Sequence, residues 1–166
     1  MTAFRQPQSL QKILVKASLT KHSRNTNTSG HTKRCGNCNQ CSYITETNTI
    51  TSSNTGNTHN IIGDISCNTR NLIYIISCLK CSKQYVGETK RELKKRIYEH
   101  IYSIRSHKLT PISQHFNQPD HNLSHFQASG ICKVHTSNTQ KRRQWELKYI
   151  MKFNTLAPNG INRKEG

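Results

Sequence analysis

The 166 residues carry 25 Lys and Arg against 8 Asp and Glu, a formal net charge of +17, and only 32% are hydrophobic. That balance excludes a chain packed throughout as core and fits a small core with polar attachments. The longest apolar run, Leu72-Ile73-Tyr74-Ile75-Ile76, excludes a membrane-spanning helix, which needs about 20 apolar residues, and the N-terminus lacks the apolar stretch of a secretory leader. So large a positive charge calls for a polyanionic partner, most simply nucleic acid. The few carboxylates limit any chemistry that needs several of them.

Residues 1–34 form a basic segment without acids. Leu10, Ile13, Leu14 and Ala17 have the spacing of a short amphipathic helix, and residues 21–34 read as a linker. Residues 35–69 form a Cys-rich segment, in which Cys35-x2-Cys38-x2-Cys41 and the later Cys67 supply four thiolates for a zinc ion. The Thr/Asn/Ser tract within residues 42–60 is expected as a loop between these metal-anchored points. Seven cysteines, an odd count, fit disulfides poorly and indicate a reducing, intracellular setting.

From residue 70 to 166 the pattern is that of a folded domain. Leu72 to Ile76 reads as a buried strand. Cys78-x2-Cys81 is a tight connection, and Gln84-Tyr85-Val86 is a second strand ending at Gly87. Thr89 and Glu92 have the spacing of a capping box, opening a helix with Leu93, Ile97, Ile101 and Ile104 along one side. Pro111 ends any continuation. Residues 126–134 give a third strand, and a second helix runs from about Gln140 to Phe153. The order is β-β-α-β-α, an α/β or α+β unit with a metal-rich extension.

Cys78 and Cys81 lack two ligands. His115 and His121, spaced H-x5-H, are the candidates, for a site of two thiolates and two imidazoles. His125 is an alternative to His121. In another grouping Cys67 joins Cys78 and Cys81, leaving His31 to the upstream trio. Cys132 reads as a small buried hydrophobe. The runs Lys90-Arg91, Lys94-Lys95-Arg96 and Lys141-Arg142-Arg143 read as phosphate contacts, because few acids are available to pair them.

One constellation remains. Tyr74 and Tyr85 lie in the two hairpin strands, and Arg96 and His100 lie one helical turn apart at the edge of the Leu93–Ile97–Ile101 seam. Glu146 sits on the last helix among basic and aromatic neighbours, with Arg142 and Arg143 one turn back, and Asn162 follows the Pro158-Asn159-Gly160 turn. The ordered set of Tyr74, Tyr85-Val86-Gly87, Arg96, Glu146 and Asn162 resembles the GIY-YIG nuclease domain over roughly residues 70–163. It looks closest to the version found in Penelope-like retroelements, which inserts a Cys-x2-Cys between the two tyrosine motifs as Cys78 and Cys81 do here. Pro111-Ile112-Ser113-Gln114-His115-Phe116 and the Cys-rich upstream segment are similar as well. Leu72 departs from the usual Gly of the first motif.

The resemblance implies a small GIY-YIG-type mixed sheet flanked by helices, with a zinc-binding N-terminal extension, and a DNA endonuclease that nicks its target. Glu146 would bind one divalent ion, Mg2+ or Mn2+, and Arg96 would hold the scissile phosphate. Tyr74 would deprotonate or orient the water, accompanied by Tyr85 and His100, with Asn162 completing the set. A free tyrosine has a pKa of about 10, so a base role needs a strongly cationic setting, which this composition is expected to supply. Two structural Zn2+ ions, a nuclear location and a reverse transcriptase module of the same element as partner complete the expectation. The rival reading is a catalytically inactive zinc module that only binds nucleic acid. A membrane-surface role is disfavoured, because the charge is not arranged amphipathically.

Overall fold

The computed structural model describes residues 29–163, so the helix expected near residues 10–17 lies outside the described residues. Leu72 to Ile76 is apolar at both parities, and a strand made of it must be covered on both faces and both edges. It becomes β6 (Leu72–Cys78), in which Leu72 to Ile76 are at most 2% exposed. Around it stand β1 (Ser29–Gly30), β2 (Thr32–Lys33), β3 (Thr49–Thr51), β4 (Thr58–Ile62), β5 (Ile65–Ser66), β7 (Gln84–Thr89) and β8 (Phe126–Lys133). The helices are α1 (Leu93–Arg105), α2 (Pro111–Phe116) and α3 (Thr139–Phe153).

The main sheet has the order β1-β4-β8-β6-β7, with β3 attached to β4. β6 is antiparallel to both β7 and β8, while β4 meets β8 in parallel, so the sheet is mixed and the fold is α+β. β2 and β5 form a separate parallel pair. α1 lies on the face that carries Tyr74, and α3 packs against β7 and β6.

Four local expectations are corrected. Residues 29–33, read as the end of a linker, form β1 and β2, with Gly30 and Thr32 buried. The polar tract between the cysteines is not a loop: it forms β3 and half of β4, and β4 extends the main sheet. Threonine is β-branched and suits a pleated surface. Ile50 and Ile61 are buried, and the Thr51 and Thr58 hydroxyls pair across the strands at 2.9 Å. Thr89 does not cap α1. It ends β7, its hydroxyl accepts from Arg91 N–H at 3.0 Å, and Glu92 is the N-cap. Pro111 starts a helix instead of only ending one: it occupies the first turn of α2, and the Thr110 hydroxyl accepts from Ser113 N–H at 3.2 Å, the position where proline's missing N–H costs nothing.

The start of α1 is fixed from elsewhere in the chain. Leu93 N–H donates to the Thr69 carbonyl and Lys94 N–H to the Cys67 carbonyl, both at 2.9 Å. Two N–H groups that a helix end leaves unsatisfied are thus taken up by the Cys-rich segment.

Arg142 is also corrected. It is not a phosphate contact. Its side chain is 2% exposed, with Nε on Glu88 Oε2 at 2.7 Å. Its remaining nitrogens donate to the Ser137 carbonyl at 2.8 Å and the Thr139 hydroxyl at 3.1 Å. A buried guanidinium needs this complete set of acceptors. Arg142→Ala is expected to strand the Glu88 carboxylate and destabilise the fold by about 2–4 kcal/mol, measured as a lowered midpoint in urea. Arg143→Ala, on an exposed position, should leave the midpoint unchanged.

Candidate active site

Tyr74 and Tyr85 share one face of the β6–β7 hairpin, because Tyr74 stands opposite Gly87 and Ile76 opposite Tyr85. Gly87 is required by close approach. A Cβ there would lie 2.4 Å from the Tyr74 hydroxyl oxygen and 2.9 Å from the Tyr85 ring. The Tyr74 phenol therefore lies across the backbone of the neighbouring strand and is fully buried.

α1 supplies its partners. Arg96 Nε donates to the Tyr74 hydroxyl at 2.9 Å, and His100 Nε2 lies 2.7 Å from the same oxygen. The Tyr74, Tyr85 and His100 rings form a mutual cluster with centroids 5.7 to 6.5 Å apart. A cleft of about 350 Å³ opens beside them, lined by Tyr85, Arg96, Glu99, His100, Lys108 and Ile112 among others.

The expected cationic setting does not lower the Tyr74 pKa. Burial raises it well above the ordinary tyrosine value, Tyr85 and Glu146 add to the rise, and Arg96 opposes it without prevailing. Tyr74 is held as the neutral phenol. Burial, and then the Arg96 charge, pull His100 down to about 3, so its imidazole is neutral at physiological pH. A neutral His100 Nε2 carrying a lone pair accepts the Tyr74 proton in the 2.7 Å contact.

Glu146 and Asn162 act from the outer edge of β7. Asn162 Oδ1 accepts from Val86 N–H and its Nδ2 donates to the Val86 carbonyl, both at 2.8 Å, while the Thr155 hydroxyl donates to Oδ1 at 2.7 Å. Its amide is spent on the strand, so Asn162 positions Tyr85 and Gly87 on either side of Val86 and does not face Tyr74. Ile161 N–H donates to the Gln84 carbonyl at 2.9 Å. Glu146 Oε1 accepts from Glu88 N–H at 3.2 Å, which sets its carboxylate close enough to Tyr74 to perturb that phenol.

Two thiol clusters stand apart from this centre. Cys35, Cys38, Cys41 and Cys67 gather their sulfurs within 4.8 Å of one another, and Cys78, Cys81, His115 and His121 do the same with sulfur and nitrogen. Neighbouring Sγ–Sγ distances in the first are 3.4, 3.6 and 3.7 Å. A zinc tetrahedron with bonds of about 2.3 Å has edges of about 3.8 Å. In the second cluster Cys81 Sγ lies 3.5 Å from His115 Nε2, against about 3.6 Å for a tetrahedral S–Zn–N edge. His121 Nδ1 donates to the Pro119 carbonyl at 3.1 Å, which leaves Nε2 as the lone-pair nitrogen. Both donor sets fit a structural metal. Backbone hydrogen bonding from Cys38 lowers the Cys41 thiol to about 6, whereas burial raises the Cys38 and Cys67 thiols, so of these three only Cys41 favours the thiolate without a bound cation. The other groupings are not assembled: His31 Nδ1 pairs with Asp64 at 2.9 Å, and His125 Nδ1 accepts from Asn122 N–H at 3.3 Å.

The basic runs are more paired than their composition suggests. Arg91 and Arg96 share Glu99, and Lys94 and Lys95 both approach Glu92. Sequence reasoning missed Glu88 and Glu99. Their one signal was adjacency to Gly87 and His100. Leu72, at the usual glycine position, is fully buried between Thr89 and Lys133.

Gly87→Ala is expected to push the Tyr74 ring off its partners and to cost about 1–3 kcal/mol through overpacking. The check is thermal unfolding of the variant beside Gly56→Ala. Gly56 has open space around its Cβ position and a φ of +70°, so that change reports backbone strain without a clash and away from the thiol clusters.

The GIY-YIG catalytic domain model matches residues 70–162. No curated protein and no solved structure matches the chain. The matched segment holds Tyr74, Tyr85, Arg96, His100, Glu146 and Asn162, and it spans more than half of the 166 residues. Members of this family are metal-dependent endonucleases acting on DNA, and it is to the GIY-YIG catalytic domain family that this chain belongs.

Proposed function

We propose that the chain is a zinc-stabilised, metal-dependent DNA endonuclease that nicks target DNA as part of, or as a derivative of, a retroelement. The observation that carries the enzymatic reading is the Tyr74 hydroxyl held between Arg96 Nε at 2.9 Å and His100 Nε2 at 2.7 Å beside an open cleft. Any buried phenol needs partners, but a guanidinium and an imidazole together at the margin of a cleft can also hold a phosphate and move a proton. The Cys-x2-Cys between the tyrosine motifs and the Cys-rich upstream segment support the retroelement reading, with a nuclear location and a reverse transcriptase module of the same element as partner.

In this reading Arg96 turns its outer nitrogens to the scissile phosphate while Nε keeps Tyr74 in place. The Tyr74 oxygen is buried in the free protein, so in this reading the attacking water reaches it, and donates to it, only when bound DNA opens that oxygen to the cleft. As it loses its proton to Tyr74, Tyr74 passes its own to His100 Nε2, whose protonation becomes favourable only beside the anionic phosphate; the water oxygen bonds to phosphorus, the bond from phosphorus to the leaving oxygen breaks, and that oxygen keeps the electron pair and takes a proton from solvent in the cleft. No tyrosinate forms at rest, in keeping with the raised Tyr74 pKa. Glu146 would hold a divalent cation, Mg2+ or Mn2+, which would supply positive charge against the charge that builds up on the phosphate oxygens. Asn162 and Gly87 position these groups. The two thiol clusters would each hold a Zn2+ ion and so tie together the segments that frame the site.

Purified protein is expected to nick supercoiled plasmid with Mg2+ and not without it. Glu146→Gln should abolish nicking, by roughly 10² or more, while retaining DNA binding in a mobility-shift assay. Nicking by the variant at the wild-type rate would reject the assignment of Glu146. Metal analysis of the freshly purified chain should give about two zinc per molecule. Cys41→Ser should reduce that by one and Cys81→Ser by the other, and a value near zero in folded protein would overturn the zinc reading.

A further inference from the structure

The cleft beside Tyr85 and His100 has one carboxylate in its lining, Glu99, among cationic and neutral neighbours. That carboxylate bridges two guanidiniums: Oε1 lies 2.5 Å from Arg91 Nη1 and Oε2 lies 3.1 Å from Arg96 Nη1. Two oxygens of one anion spanning two arginines is also the way a phosphodiester presents its two non-bridging oxygens to such a pair. Arg96 meanwhile keeps Nε on Tyr74, so its outer nitrogens are the ones an incoming anion must use, and Glu99 already holds one of them.

The arrangement is displaceable. The Glu99 side chain is 31% exposed and that of Arg91 64%, and ion pairs in contact with water are weak. Release of Glu99 to solvent therefore costs little, whereas a phosphate anchored by further backbone contacts along the DNA gains two guanidiniums at once. An isolated anion with no other anchor has no such advantage over a carboxylate tethered to the same helix turn.

We propose that Glu99 is a place-holder for the scissile phosphodiester: it occupies the Arg91–Arg96 seat in the free protein and must be displaced when DNA enters. The proposal rests on the reading of the cleft as the phosphate-binding part of a nuclease. It makes Glu99 a determinant of affinity, which holds weak, unproductive phosphate contacts below the level that a correctly seated strand reaches. The competing role is that Glu99 orients Arg96, and the two roles predict opposite changes in binding.

The experiment is equilibrium binding of a short DNA duplex to the full chain at fixed moderate salt without added Mg2+, so that no cleavage occurs. Glu99→Gln keeps the shape and removes the charge. Its Kd is expected to fall roughly 3- to 10-fold below wild type. Asp64→Asn, which removes one exposed acid paired with His31, should shift Kd by less than about 2-fold. Unchanged thermal midpoints would show that both variants are folded. Glu99→Gln binding no tighter than Asp64→Asn, or more weakly than wild type, overturns the proposal while leaving the nuclease reading intact. Failure of wild type itself to bind DNA overturns both.

Discussion

The Tyr74 hydroxyl has no contact with water, and a phenol in that position must find its partners inside the protein. It finds a guanidinium and an imidazole one helical turn apart on α1. That requirement fixes the distance of α1 from the hairpin and the rotation of the helix about its axis. It also fixes the residue across from Tyr74, since any side chain at position 87 would occupy the space of the phenol. The helix is in turn fixed at its start by carbonyls of Cys67 and Thr69. Cys67 is also a member of the four-thiol cluster. The thiol cluster and α1 are therefore joined through a single residue, by backbone on one side and sulfur on the other.

The charge of the chain is organised around this centre. Acids are few, and several of them are committed to particular cations. Glu88 neutralises the buried Arg142, Glu92 starts α1 and collects Arg70, Lys94 and Lys95, and Glu99 sits between Arg91 and Arg96. Glu146 accepts a hydrogen bond from β7 at the margin of the cluster. The remaining lysines and arginines give the molecule its excess of positive charge and a general attraction for polyanions.

Much of the fold was legible because its signals are local. The apolar run at Leu72 to Ile76, the turn at Cys78 to Lys83 and the helical seam of Leu93, Ile97 and Ile101 each depend on residues close in sequence. The thiol and imidazole groupings were legible for the same reason, since ligand chemistry restricts which residues combine. What escaped depends on partners far along the chain. Thr49 to Thr51 looked like a loop because polarity outweighed the β-branching of threonine, and its value as a strand appears only once β4 has β8 beside it. Arg142 looked like a surface cation because Glu88, its neutralising partner, is 54 residues away. The protonation of Tyr74 was misjudged because net charge is a property of the whole molecule, whereas desolvation is set by the few ångströms around one oxygen.

The outer edge of β7 is closed by side chains and backbone that lie far downstream. Glu146 is 58 residues beyond Glu88, and Asn162 is 76 residues beyond Val86. A chain made from its N-terminus carries Tyr74, Tyr85, Arg96 and His100 well before it carries the groups that lock β7 in register. At typical elongation rates the gap between Val86 and Asn162 lasts roughly 4–15 s. Throughout that interval these four side chains exist without the frame that aligns them, and the last clasp, by the Asn162 amide, becomes available only when nearly all of the described chain has been made. A centre built in this order cannot be complete on a nascent chain that stops short of residue 162.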